Sequence, residues 1–278
     1  MCPSQFQTKG GGMEILCFKV KGKLAHFRKY YANNTAFSFS IPPRTTLMGM
    51  TAAVMGWPKD SYYERLSSDH IRFGVRVLSP LKKSFHRLNF LSIKSTGDIA
   101  KSLDSDFRGK RGRIQTPFEV VSAPDIAKGE VQYQVFLSAT DSGEDIFREI
   151  KEQFLNKQQV YNISLGPANF QATTFDEELV QMESIQRIDP DDFVLMNSAI
   201  PSKLVEELQF NKDDYKQYNF VEEDMLPGDF VGKNNREVKT MNRLLFSITS
   251  LPLRVRINSY YWRINTRHED LNIQFMDV

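Results

Sequence analysis

Residues 25–56 read AHFRKYYANNTAFSFSIPPRTTLMGMTAAVMG, and the reading of this stretch decides the fold. Pro42 and Pro43 cannot lie inside a helix, because proline lacks the amide hydrogen and its ring clashes with the preceding turn; they fix where a helix can begin. Thr45 or Thr46 is the expected cap. Leu47, Met50 or Thr51, and Val54 follow at helical spacing, and the run stops at Gly56 with Trp57 and Pro58 behind it. An open helix start exposes N–H groups and a partial positive charge, which together suit an anion such as phosphate. Arg28 and Arg44 flank that start. His26, Arg28, Tyr30 and Tyr31 leave the preceding strand in a row that could touch bases and phosphates, although a histidine beside aromatics is more often a packed residue. Gly49 would let a ligand approach the backbone closely, and helix–sheet packing asks for the same glycine.

Upstream, residues 14–20 alternate as a strand, with Ile15, Cys17 and, at its end, Lys19 on one face. Downstream, residues 70–79 place Ile71, Phe73, Val75 and Val77 on one side of a half-buried strand. Residues 131–137 form another strand, residues 144–155 an amphipathic helix with Ile146, Phe147, Ile150 and Phe154 inward, and residues 160–165 a closing strand. The order β-α-β, insertion, β-α-β predicts an α+β, ferredoxin-like (RRM-like) core over residues 13–175, interrupted at about residues 81–119 by a long hairpin. Residues 176–278 contain short alternating runs at 193–196, 244–248, 253–257, 260–264 and 271–275, the pattern of a β-rich C-terminal lobe, with 213–235 its least ordered part. Residues 1–12 end in three glycines and read as a disordered extension.

The chain has 278 residues, 41% of them hydrophobic and 25% charged, a globular balance compatible with one elaborated domain or two small ones. No apolar run is long enough to span a bilayer, and the first residues lack a secretory pattern, so the cytoplasm is the expected location. Cys2 and Cys17 are too few to staple a fold and too isolated for a zinc site. There is no phosphate-binding glycine loop, no HExxH and no clustered metal ligands, which argues against a nucleotide or small-molecule enzyme and predicts no cofactor. The charge is uneven. Residues 80–118 hold nine Lys or Arg against three acids, whereas residues 180–230 hold four against twelve; a chain so polarised can offer one side to a polyanion and another to a basic protein. Phe85, Phe90 and Phe107 lie among the cations of the insertion, and aromatic rings stack unpaired bases at about 1–3 kcal/mol each. The plain alternative is a solvated charged loop. Arg254, Arg256, Arg263 and Arg267 mark either a second RNA or protein surface or exposed strand faces.

The Ala-His-Phe-Arg segment, followed by Phe-Ser-Phe-Ser-Ile-Pro-Pro-Arg-Thr-Thr-Leu-Met-Gly-Met, resembles the N-terminal signature of the fifth Cas family (RAMP superfamily), the CRISPR-associated subunit that holds the 5′ handle of the guide RNA in type I Cascade. A second match lies at residues 160–172, VYNISLGPANFQA, where that family carries a Leu-Gly pair. The resemblance covers residues 13–175. It implies a ferredoxin-like palm with a thumb-like hairpin over the guide, in a form most like type I-B, where a separate nuclease processes the RNA. The RNA-binding residues it implies are His26, Arg28, Tyr30, Arg44, Thr45, Thr46 and Gly49 in the first motif, and Lys82, Lys83, Arg87, Arg108, Lys110, Arg111 and Arg113 in the insertion. The implied partners are the crRNA 5′ handle, the Cascade backbone and large subunits, and target DNA near the foot of the complex, with no membrane. One branch, in type I-C, is a metal-independent ribonuclease. Cleavage of that kind needs a base for the 2′-hydroxyl and an acid for the leaving oxygen; His26, Lys29 and Tyr30, or His86 with Lys83, are the candidates here. None stands at a spacing that marks a triad, so a non-catalytic subunit is the expectation.

Overall fold

The structure, a computed structural model, describes residues 12–31, 35–91, 95–99, 113–210, 220–231 and 236–277. Eight elements build the N-terminal part: β1 (Ile15–Gly22), α1 (Arg44–Met55), β2 (Ile71–Val77), β3 (Lys82–Leu91), β4 (Arg113–Ser122), β5 (Val131–Ala139), α2 (Glu144–Leu155) and β6 (Gln171–Val180). The central sheet runs β2-β5-β1-β6 and ends on a two-residue strand, Ile163–Ser164. All of its neighbours are antiparallel.

Pro43 opens α1 with φ −57° and ψ 156°, and no side chain caps the helix. Thr45 and Thr46 therefore belong to the first turn rather than to the cap; the proline φ fixes where the helix starts, and no side chain accepts the first-turn N–H groups. Gly56 closes the helix in the left-handed region at φ 72°, returning its N–H to Ala52 and Ala53. In α2, Glu144 and Asp145 complement the positive end of the helix, and Phe147, Ile150 and Phe154 turn inward. The Phe154 ring meets Phe18 of β1 at 4.5 Å.

β1 is buried on both faces. Leu16, Phe18 and Val20 pack under the helices with Leu47, Val54 and Ile150, while Ile15 and Cys17 pack with Phe136 and Val180 of the same sheet and with Ile264, Leu271, Ile273 and Phe275 of the C-terminal lobe. Alternation along the strand thus serves two cores rather than one core and solvent. Among the described residues no helix is long and apolar enough to cross a membrane.

The closing strand lies elsewhere than expected. Residues 160–165 contribute only the Ile163–Ser164 pairing, and the long partner of β1 is β6. Its register shifts opposite Cys17 and Lys19, and Asp176 there takes a left-handed φ of 56°. Such a bulge breaks the two-residue period and hides the strand from a periodicity reading. β6 also runs through residue 175, so the sheet reaches Val180.

The C-terminal lobe is a set of small antiparallel sheets. Strands at Val194–Met196, Leu253–Ile257, Tyr261–Asn265 and Asp270–Ile273 stand close to the expected runs. Within the segment expected to be least ordered, Val221–Pro227 is a seven-residue strand (β7) paired with Met241–Ser247 (β8). Leu226, Leu244, Phe246 and Met276 enter the core beneath α1, so the lobe shares that core with the central sheet.

Candidate nucleic-acid interface

Five of the expected residues from the first motif converge. Arg28, Tyr30, Thr45, Thr46 and Gly49 line one open cleft of about 440 Å³ beside the first turns of α1. The opposite wall carries Tyr62, Tyr63, Asn162, Ser164, Gly166, Phe230 and Arg236, none of which sequence reasoning singled out. Asn162, Ser164 and Gly166 lie in the second matched stretch, residues 160–172, whereas Tyr62, Tyr63, Phe230 and Arg236 come from segments with no motif.

The two motifs touch. His26 N–H donates to the Leu165 carbonyl at 2.9 Å. Gly166 sits at φ 108°, and a Cβ built on it would fall 1.9 Å from the His26 carbonyl oxygen. Only glycine fits there, because the backbone approach leaves no room and the dihedral is left-handed.

Two expected contacts are corrected. His26 is 4% exposed; its Nδ1–H donates to the Glu119 carbonyl at 2.7 Å and its ring stacks on Phe118 at 3.9 Å. Burial lowers its pKa against the opposing effect of that carbonyl, and the Arg28 charge pushes the same way as burial. A ring packed on both an aromatic and a carbonyl is an interior strut, not an RNA contact. Arg44 is 0% exposed. Its Nη1 bonds Asp229 Oδ1 at 2.5 Å and its Nη2 bonds the carbonyls of Leu66 and Ile71, each at 2.7 Å. Its Nε lies 2.6 Å from Asp277 Oδ1, aligned as an ion pair rather than a hydrogen bond. Asp277 accepts the Phe73 N–H as well. Its pKa is raised by burial, with the nearby Asp229 adding to the rise and Arg44 opposing it. A guanidinium committed to two carboxylates and two carbonyls has nothing left for a phosphate; Arg44 is the hub that ties α1 to the C-terminal lobe.

β3 and β4 form a continuous antiparallel hairpin from Lys82↔Ser122 to Leu91↔Arg113. Alternation puts Lys82, His86 and Phe90 on one face and Lys83, Phe85 and Arg87 on the other. Phe85 is 55% exposed and edge-on to Phe37 at 5.7 Å; Phe90 is 43% exposed and tilted toward Phe118 at 5.9 Å. Lys82 and Arg87 are exposed. Lys83 pairs with Glu222 at 3.4 Å, and the same carboxylate accepts the Ser40 hydroxyl. Arg113 opens β4, whereas Phe107, Arg108, Lys110 and Arg111 lie outside the described residues.

The acidic run is therefore partly an internal counterion. β7 supplies Glu222 to Lys83 and Asp224 to Lys29 at 2.5 Å, and Asp229 follows it to Arg44. Burial works to lower the Lys29 pKa, and the bonds to Asp224 and Tyr31 override it, so the net shift is upward. Of the candidate acid–base groups, His26 bonds Glu119, Lys29 bonds Asp224, Lys83 pairs with Glu222 and His86 Nε2 meets the Ser84 hydroxyl at 3.0 Å, while Tyr30 is exposed on the cleft. Among the described residues no cluster of His, Cys, Asp or Glu could hold a metal ion.

No curated protein sequence matches the chain. Among solved structures, a CRISPR protein from Archaeoglobus fulgidus superposes with a TM-score of 0.52 at 13% identity, covering 94% of this chain and 99% of that one. A chain of a CRISPR RNA-guided surveillance complex gives 0.48 at 15% identity, covering 87% and 91%, and a further Cas protein gives 0.41 at 12%, covering 85% and 95%. The first of these shows a shared fold. The family model described as CRISPR-associated protein (Cas_Cas5) matches residues 15–172, from β1 into β6 and across both motifs; the chain belongs to the CRISPR-associated Cas5 family.

Proposed function

We propose that this chain is a non-catalytic subunit of a type I Cascade complex, most like type I-B, that binds the 5′ handle of the guide RNA. The observation that carries the reading is the convergence of Arg28, Tyr30, Thr45, Thr46 and Gly49 on one cleft, in a chain of this family. The sheet order β2-β5-β1-β6, with its two βαβ passages, supports a ferredoxin-like palm. The β3–β4 hairpin, with exposed Phe85, Phe90, Lys82 and Arg87, supports a thumb that stacks bases and neutralises phosphates. On this reading the thumb also meets the first backbone subunit, another face meets the large subunit near the target DNA, and the complex works in the cytoplasm.

The chain purified from cells expressing a repeat array should carry RNA, and in competition a handle-bearing RNA should displace a scrambled one of the same length. Equal binding of both would reduce the interface to non-specific electrostatics. Repeat RNA incubated with the chain without metal should stay intact, because Lys29 is held as an ammonium and His26 is engaged inside the fold. Specific cleavage that is blocked by a 2′-deoxy group at the scissile nucleotide would replace this reading with that of a processing ribonuclease.

A further inference from the structure

We infer that the open cleft beside α1 takes one everted nucleobase of the bound RNA, with Tyr62 as its stacking wall and Arg236 as the anchor of the adjoining phosphate. The inference rests on the RNA-binding reading above and adds a position-specific element to it. The hairpin aromatics are exposed platforms, which take bases in passing. The cleft is different in kind, because its volume of about 440 Å³ falls in the range of sites that hold a small ligand.

Its walls are built rather than incidental. Tyr62 is half-buried, with its ring against Tyr63 at 4.8 Å, and Tyr63 is braced in turn by Phe230 at 5.0 Å. Facing Tyr62, a Cβ at Gly49 would lie 3.2 Å from the hydroxyl oxygen, so any side chain at residue 49 would encroach on the space beside the ring. Thr46, Asn162 and Ser164 line the same cleft and bring hydroxyl and amide groups to read a base edge. Asp60 holds the charged side in place: its Oδ1 accepts from Tyr63 Oη at 2.5 Å and from Arg236 Nε at 3.1 Å. The Tyr63 bond lowers the Asp60 pKa, so the carboxylate stays ionised. Asp60 does this from a left-handed φ of 62°, a conformation that costs a non-glycine residue energy and is kept where the surroundings enforce it. Arg236, 56% exposed, is thereby fixed at the mouth with its charge available to a phosphate. A ring wall, a hydrogen-bonding edge and a fixed cation at the rim match one nucleotide.

The experiment is an abasic scan. A series of handle-bearing RNAs, each with one nucleobase removed, is titrated against the wild-type chain, Tyr62→Ala and Tyr62→Phe. One abasic position should weaken wild-type binding roughly ten-fold, the effect of losing one stacked base. Tyr62→Ala should lose a similar factor on intact RNA and show no further loss at that position, while Tyr62→Phe should behave as wild type. A flat abasic profile, or losses that multiply in Tyr62→Ala, would overturn the inference. Should Tyr62→Ala fail to fold, Arg236→Gln at the surface decides: the slope of log affinity against log salt should fall by about 0.7, and an unchanged slope counts against the pocket. Wild type that binds handle RNA with a flat profile sinks only the pocket; wild type that does not bind it sinks the RNA-binding reading as well.

Discussion

Replacing Arg44 with Met keeps most of the side chain's length and removes its charge, which leaves Asp229 and Asp277 buried without their shared counterion. Breaking a buried pair in this way costs about 3–5 kcal/mol. The urea midpoint of Arg44→Met should therefore fall sharply, whereas an exposed cation such as Arg87 changed to Gln should leave it nearly unmoved. His26 makes a separate, pH-dependent contribution. Its folded pKa lies below the ordinary value of about 6.5, so the unfolded chain takes up the proton first. Stability from the neutral ring is complete above about pH 6.5 and is lost as pH falls from there through the lower folded value. The melting-temperature gap between wild type and His26→Phe should narrow on acidification from about pH 7.5 to about 5.5, and a constant gap would remove the titration. The sequence offered packing as the plain alternative for His26 but could not name its partner, and it gave no sign of the Arg44 hub. The partners of Arg44 and His26 stand 185 and 93 residues away, and spacing along a chain speaks only for near neighbours.

The β3–β4 hairpin carries the element-scale prediction. Phe85→Ala and Phe90→Ala, on opposite faces, should each weaken single-stranded RNA binding by about 1–3 kcal/mol if both faces stack bases. An effect from only one identifies the face that meets the guide. Removing Lys82 and Arg87 together should flatten the salt slope by about 1.4, two phosphate contacts' worth; replacing Arg108, Lys110, Arg111 and Arg113 by Ala should flatten it further. Some elements announced themselves. Pro42-Pro43 and Gly56 bracket α1 because backbone chemistry alone fixes those points. β6 did not, since the bulge at Asp176 interrupts its alternation, and neither did β7, whose Glu222, Glu223 and Asp224 read as a solvated run until Lys83 and Lys29 are brought to it from elsewhere. The cleft was partly legible: the first motif and the 160–172 stretch supply Arg28, Tyr30, Thr45, Thr46, Gly49, Asn162, Ser164 and Gly166, while Tyr62, Tyr63, Phe230 and Arg236 come from segments without a motif.

For the molecule as a whole, the strongest constraint is that β1 belongs to two cores. A fragment of residues 13–180 would expose Ile15, Cys17, Phe136 and Val180 together, and it would lose Leu226, Leu244, Phe246 and Met276 from beneath α1. Exposed contiguous apolar surface of this kind promotes aggregation. The fragment should therefore lack a cooperative melting transition, and a sharp transition near that of the full chain would show the lobe to be an accessory. The order of elements along the sequence anticipated a mixed α/β, sheet-rich chain but misplaced the closing strand, which is β6 rather than residues 160–165. It was silent on how the lobe attaches, and it overstated the charge separation: part of the negative stretch is consumed inside by Lys29, Lys83 and Arg44.

The Arg44 hub also sets a clock on synthesis. Both carboxylates that neutralise Arg44 are encoded in the last fifth of the chain. At about 5–20 residues per second, the ribosome delivers Asp277 roughly 12–47 s after Arg44. Until Asp229 has been made, α1 carries a cation destined for the interior with neither of its counterions to take inside, and until Asp277 follows it has only one, so docking of the helix onto the sheet should be delayed. Nascent chains stalled short of residue 229 should remain open to protease around residues 44–55, and full protection should arrive once both Asp229 and Asp277 have cleared the exit tunnel.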